Sequence, residues 1–313
     1  MSSENPIEIV GLRKEYGKFV AVDNLNLSVK KNSFTGFLGP NGAGKSTTLK
    51  ILTHLINATS GEAYINGIDV TKDPKKALTG VGTVVETPEF YSYLTPRETF
   101  RYVGEIMGLT SETINSETDR ILEKVKMTEW ENKRIGTFSK GMRQRIALGQ
   151  ALMNSPEVII LDEPNSGLDP RGQAEMREIL KNLRNESKNL TVIMSSHILH
   201  EVSDLCDRIA LINFGKMIIQ DDISIIGKDD GTRRMIVKVE GTPDTEMISK
   251  ILRLNYVVSA ERFGNDIDVT IKGDNDARVR FFNDISSLKI GAYGVNEEDT
   301  LETAYLKLIK ESR

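Results

Sequence analysis

Up to about residue 220, short β-rich apolar runs alternate with stretches whose apolar residues recur every three or four positions. The alternation predicts a largely parallel sheet with helices packed around it, since parallel strands need crossover connections and are buried on both faces. Ser33 to Leu38, Val158 to Leu161 and Thr191 to Met194 read as buried strands. Between Pro96 and Gln150 the pattern turns helical. Phe100, Val103 and Met107, then Ile114, Thr118, Ile121, Leu122 and Val125, fall at spacings that share one helix face. A helical insertion over about 96–150 is therefore expected within the α/β domain.

The polar segment Gly227-Lys228-Asp229-Asp230-Gly231 separates two differently patterned regions, and predicts one domain over residues 1–226 and another over 231–313. After it, Met235, Val237 and Val239 alternate as in a strand, Met247, Ile248, Ile251 and Leu252 keep helical spacing, and Ile267, Val269 and Ile271 alternate again. Val279, Phe282 and Ile285 mark a second helix, Ala292 to Val295 a last strand, and Leu301, Ala304, Tyr305 and Leu308 a terminal helix. The order β-α-β-β-α-β with one added helix fits a small α+β domain of ferredoxin-like type.

Composition removes several function classes. The chain has 313 residues, 39% hydrophobic and 27% charged, which suits one large core or two smaller ones. Lys and Arg number 41 against 45 Asp and Glu, so a formal net charge of -4 supplies no global field for nucleic acid, and no nucleic-acid partner is expected. No apolar run approaches the ~20 residues that span a bilayer, and the first residues lack the basic and apolar regions of a signal peptide. A cytosolic chain is expected. The single cysteine, Cys206, has no internal disulfide partner, and its neighbours Val202, Leu205 and Ile209 suggest a small buried side chain.

The chemistry concentrates at two places. Gly39-Pro40-Asn41-Gly42-Ala43-Gly44-Lys45-Ser46-Thr47 fits G-x-x-x-x-G-K-[ST] between a buried strand and a helix running from Ser46 towards Leu55. Glycines there let successive N–H groups approach phosphate oxygens, and the helix N-terminus adds partial positive charge. Lys45 is placed to neutralise the β- and γ-phosphates of ATP, and the Ser46 hydroxyl to ligate Mg²⁺. Independently, the run from Val158 to Leu161 delivers Asp162 and Glu163 at a strand's C-terminal edge, where ligands bind in open α/β sheets. Asp162 suits Mg²⁺, directly or through water, and Glu163 suits a general base facing an attacking water.

With these residues in place, the chain resembles the ATP-binding subunits of ABC transporters over roughly residues 7 to 222. Phe138-Ser139-Lys140-Gly141-Met142-Arg143-Gln144-Arg145 matches that family's signature loop, Ser166-Gly167-Leu168-Asp169-Pro170 its D-loop, and Ser195-Ser196-His197 its switch histidine. Tyr16 occupies the position of the aromatic that stacks on adenine. In physical terms Ser139 begins a helix, whose first N–H groups form an anion-binding end. The resemblance implies that the signature loop, through Ser139 and Gly141 and with Asp169, completes the ATP site of a second ATPase subunit, identical or not. It also implies that His197 holds the attacking water and Glu163 in line, and that the dimer works beneath a separate membrane-spanning permease at the inner face of the cell membrane.

Departures from the family pattern narrow the group. The family usually carries Gln where Glu86 stands, and Gly and Gln where Lys140 and Met142 stand. The combination resembles exporters of bacitracin and lantibiotic type, as does a C-terminal extension holding Asp299-Thr300-Leu301-Glu302 and an apolar helix. Glu86 would ligate Mg²⁺ or its water as the usual Gln does, and its full charge should tighten metal binding. Phe90, Tyr91, Tyr93 and the helix starting near Pro96 are expected to dock the permease. Two other readings stay open from the sequence: a soluble ABC ATPase acting on ribosomes or DNA, and a nucleotide-binding module of slow turnover.

Overall fold

The β-rich runs of the first 222 residues fold into two sheets of different kinds. The computed structural model describes residues 4–226, 232–273 and 275–297, with positions 305, 308 and 309 beyond them. It divides into two units, Met1–Asp222 and Ile223–Arg313. In the first unit β1 (Ile7–Tyr16), β2 (Phe19–Val29), β3 (Phe34–Leu38), α1 (Lys45–Leu52), β4 (Ser60–Ile65), β5 (Ile68–Asp69), α2 (Pro74–Ala77) and β6 (Val81–Val84) come first. The insertion follows as α3 (Pro96–Ile106), α4 (Ser111–Lys124) and α5 (Lys140–Ala151). Then come β7 (Val158–Leu161), α6 (Pro170–Glu186), β8 (Thr191–Ser196), α7 (Leu199–Leu205), β9 (Arg208–Asn213) and β10 (Lys216–Asp222).

A six-stranded sheet has the order β10-β9-β3-β8-β7-β6, parallel except for the β10–β9 pair. Every residue of β3, β7, β8 and β9 is buried, which is why these segments read as continuous apolar runs. The expectation of one largely parallel sheet needs correction at the N-terminus. There β2-β1-β4-β5 form a separate antiparallel sheet, whose β1 alternates buried and exposed positions through its first half. Apolar patterning announces a strand but not the neighbour it pairs with.

Helix α1 lies in the core that both sheets share. Leu49, Ile51 and Leu52 belong to one cluster with Phe37, Ile160 and Ile193 of the parallel sheet and Ile7, Ile9, Leu27 and Ile65 of the antiparallel one. Fully burying each such side chain stabilises the fold by about 1.5–3 kcal/mol. The loop that begins α1 is thus fixed by packing on both sides.

The insertion starts where its sequence dictates. Thr95 and Glu98 form a capping box with Pro96 in the first turn of α3, and Thr110 caps α4. Phe100, Ile114, Ile121 and Leu122 are buried as the periodicity predicts, whereas Met107 at the end of the stripe is exposed. A Cβ on Gly149 of α5 would lie 2.8 Å from Ile121 and 2.9 Å from the Phe100 ring, so the three helices close around that glycine.

The second unit holds α8 (Ile223–Ile226), β11 (Thr232–Val239), α9 (Thr245–Leu252), β12 (Val257–Phe263), β13 (Asp266–Lys272), α10 (Asn275–Ser287) and β14 (Ala292–Glu297). Its antiparallel sheet runs β12-β13-β11-β14, the strand order of a ferredoxin-like α+β domain. Met235, Val237, Ile251, Val269, Phe281 and Ile285 lie in its core. The predicted face of α10 is corrected here: Ala277, Phe281 and Ile285 are buried, while Val279 and Phe282 are exposed. Phe281 and Phe282 are adjacent and cannot share a face, and the 277/281/285 line is the one that packs. Tyr305, Leu308 and Ile309 are helical; the segment 227–231, the motif at 299–302 and Ala304 lie outside the described residues.

Candidate nucleotide site

Strands β3, β8 and β7 are adjacent, parallel and in register, with Leu38 beside Ser196 and Met194 beside Leu161. β3 and β8 therefore end level, with Gly39 and His197 following them, while β7 ends two residues earlier and Asp162 emerges at the same edge of the sheet. Between β3 and α1 the loop tolerates no side chain at two points. Gly44 has φ 104° and a Cβ there would lie 2.6 Å from the Ala21 carbonyl, while one on Gly39 would lie 2.3 Å from the Ile212 carbonyl. Backbone bonds from Gly215 to Ala43 (2.9 Å) and from Gly39 to Ser196 (3.3 Å) tie the loop to its neighbours. Asn41 and Gly42 form its exposed crest, Ala43 is buried, and Pro40, Ser46 and Thr47 are half-buried.

Lys45 is 4% exposed. Its ammonium donates to the carbonyls of Gly39 (2.8 Å) and Pro40 (3.2 Å), and lies 3.5 Å from Glu163 Oε1. On the other side of Glu163, His197 Nδ1 stands 3.3 Å from Oε2. Ser46 Oγ donates to Asp162 Oδ1 at 3.1 Å. The structure thus brings Lys45, Ser46, Asp162, Glu163 and His197 into one cluster drawn from three segments, the start of α1 and the ends of β7 and β8. Glu163 itself has φ 44°, a left-handed conformation that costs a side-chain-bearing residue about 1–2 kcal/mol.

Ser195 belongs to this cluster although the motifs alone do not single it out. Its hydroxyl donates to Asp162 Oδ1 at 2.6 Å and accepts the Glu163 N–H at 2.8 Å. The available signal was a pair of serines, Ser195 and Ser196, closing a fully buried strand just ahead of His197.

Glu86 and Tyr16 stand apart from that cluster. Glu86 follows β6 with φ 70°, and its carboxylate forms an ion pair with Lys50 Nζ of α1. The hydrogen bond to Glu86 raises the Lys50 pKa above its ordinary value despite partial burial. No hydrogen bond among the described residues joins Glu86 to Ser46 or Asp162. Glu86 also borders a cavity of about 320 Å³ with Leu55, Val84, Val85, Phe90 and Gln150 among its walls. Nearby, Tyr91 packs on Tyr93 and Tyr102 at ring distances of 5.7 and 5.9 Å, with all three rings exposed. Tyr16 ends β1, half exposed, with Lys14 Nζ 5.0 Å from its ring centre.

Ser139, Gly141 and Asp169 form a second group. Ser139 caps α5 by accepting the Met142 N–H at 3.2 Å, and Asp169 caps α6 by accepting the Gly172 N–H at 2.7 Å. The two helix starts touch, because a Cβ on Gly141 would lie 3.7 Å from Gly172 Cα. Lys140 reaches across to Gly167, where a Cβ would meet its Nζ at 2.3 Å. Trp130 packs edge-on against Phe138 at 6.2 Å. Ser139 and Asp169 are exposed, and no hydrogen bond or ion pair among the described residues links this group to the loop 39–46.

A glycine loop with a buried lysine, facing an Asp-Glu pair and a histidine, defines a nucleotide site of phosphate-loop type. Comparison with known proteins makes this specific. The ABC transporter family matches residues 22–166, and an AAA domain family matches residues 133–203. The bacitracin transport ATP-binding protein BcrA of Bacillus licheniformis is 42% identical over 212 residues, 68% of each chain. The lantibiotic transport ATP-binding protein SrtF of Streptococcus pyogenes is 37% identical over 216 residues, 69% of this chain and 90% of its own. A crystal structure of an ABC transporter's ATP-binding cassette in its ADP conformation superposes with a TM-score of 0.62 at 26% identity, covering 70% of this chain and 91% of that one. The chain belongs to the ABC transporter ATP-binding family, close to the drug and lantibiotic group, and is an ABC-type ATPase.

Proposed function

We propose that this chain is the ATP-hydrolysing subunit of an exporter, acting as a head-to-tail dimer at the cytoplasmic face of the membrane beneath a separate permease. The observation that carries the reading is the single cluster in which Glu163 lies 3.5 Å from Lys45 and 3.3 Å from His197, beside Ser46 and Asp162. Relatives named for bacitracin and lantibiotic transport support an antibiotic-like cargo. Among the described residues no helix is long and apolar enough to cross a membrane, and the membrane path is assigned to the permease.

Backbone N–H groups within the loop 41–47 and the Lys45 ammonium bind the phosphates of ATP, with Tyr16 against the base. Ser46 and Asp162 offer an all-oxygen donor set with one carboxylate, which suits Mg²⁺, a cation that keeps several waters and shares substrate phosphates. Bound there, Mg²⁺ would neutralise charge on the β- and γ-phosphates. Glu163 takes the proton of the attacking water, and His197 keeps its carboxylate aimed. The exposed ends at Ser139, Gly141 and Asp169 complete the site of the second subunit, which agrees with their separation from the loop of their own chain. The segment after Glu86 meets the permease.

Glu163→Gln tests the centre of this reading. The amide keeps shape and hydrogen bonding but accepts no proton, so ATP binding should persist while hydrolysis falls about 10²-fold or more. Dimer should then accumulate in MgATP on size-exclusion chromatography. Hydrolysis at the parental rate would remove Glu163 as the base.

A further inference from the structure

Glu163 is held at two points by the end of one strand. His197 reaches its carboxylate at 3.3 Å, and Ser195, two residues earlier, accepts its backbone N–H at 2.8 Å. The same Ser195 hydroxyl gives its only proton to Asp162 Oδ1 at 2.6 Å. The direction of that bond follows from chemistry, because an ionised carboxylate has no proton to offer. Ser195 is 0% exposed, so water has no access to replace it. Register fixes it further, with Phe37 beside Ser195 and Leu38 beside Ser196, and it cannot slide along the sheet.

Two facts about Glu163 make this hydroxyl more than filler. Its φ of 44° is a conformation that persists only where surrounding contacts hold it. Its N–H, turned inward by that conformation, would lose its bonding partner if the hydroxyl were absent. Asp162 Oδ1 also accepts from Ser46, and Ser195 is the partner that fixes the carboxylate from the strand side.

We propose that Ser195 is a positioning residue for ATP hydrolysis: its hydroxyl, anchored on Asp162, locks the Glu163 backbone in the left-handed turn and so holds the base in a fixed place. The inference rests on Glu163 acting as the base. It predicts that Ser195 acts on turnover through Glu163 and not on nucleotide affinity.

The test uses the full chain with Ser195→Ala, Ser195→Thr, Glu163→Gln and the Ser195→Ala/Glu163→Gln double variant. Steady-state and single-turnover hydrolysis are measured beside the Kd for a fluorescent ATP analogue with Mg²⁺. Ser195→Ala should lower kcat about tenfold or more with the analogue Kd changed less than about twofold, a loss of one buried hydrogen bond at the reacting centre. Ser195→Thr, which keeps the hydroxyl, should recover most of the rate. In the Glu163→Gln background the same Ser195→Ala change should cost less than about twofold, since the group it acts through is already disabled. Parental kcat in Ser195→Ala, an equal loss in both backgrounds, or a loss that follows analogue binding would each overturn the proposal. Failure of the underlying reading looks different: Glu163→Gln alone would then hydrolyse ATP normally.

Discussion

Lys50 answers the charge that Glu86 brings to a position where the family usually carries glutamine. Their ion pair keeps the carboxylate occupied, and Lys50, its pKa raised by that bond, stays protonated throughout the neutral range. A carboxylate engaged in this way has less charge to offer a metal than its sequence suggests. Lys50→Met should therefore lower the Mg²⁺ concentration giving half-maximal ATPase by about two- to fivefold, the range of a partly exposed pair. In the Glu86→Gln background the same substitution should have no such effect. An unchanged Mg²⁺ requirement in Lys50→Met would show that the pair does not govern the metal. At this scale the glycine loop, Lys45, Asp162, Glu163 and His197 were legible because their spacing repeats a known chemical arrangement. Ser195 and Lys50 were not, because their partners lie 32 and 36 positions away in sequence and meet them only once strands and helices are placed.

Elements were legible where an apolar period announced them, as with the stripe of α4. Pairing was not, since β1, β2, β4 and β5 carry strand patterns that say nothing of a second sheet. On α10 two apolar lines compete, and only packing decides between them. The turn between β6 and α3 raises a functional question. Tyr91 and Tyr93 are 54% and 64% exposed and touch each other, so their rings contribute little to the buried core. Exposed aromatics grouped beside a cavity are the composition of an interface centre. Replacing both with alanine should abolish copurification of the membrane partner while leaving ATPase of the isolated subunit within about twofold, as rings outside the core would. Undiminished copurification would remove this face from the permease contact.

Each of the two units has its own apolar cluster, and every residue assigned to the nucleotide site lies in the first. A unit with its own core is able to fold alone. Removing residues 231–313 should leave a soluble protein that binds the fluorescent ATP analogue with the parental Kd, and calorimetry of the full chain should resolve two melting transitions or a broadened one. An insoluble truncation that binds no nucleotide would contradict this. The division between the units falls between Asp222 and Ile223, a few residues before the change of texture near residue 230, and the segment 227–231 lies outside the described residues. The whole chain also contains a single tryptophan, Trp130, packed on Phe138 one residue before Ser139. Its indole emission therefore originates at one address, beside the loop assigned to the neighbouring subunit's ATP. In the proposed dimer, approach of that subunit would change the polarity around the ring, which makes this emission an optical gauge of assembly, readable in solution without a dye.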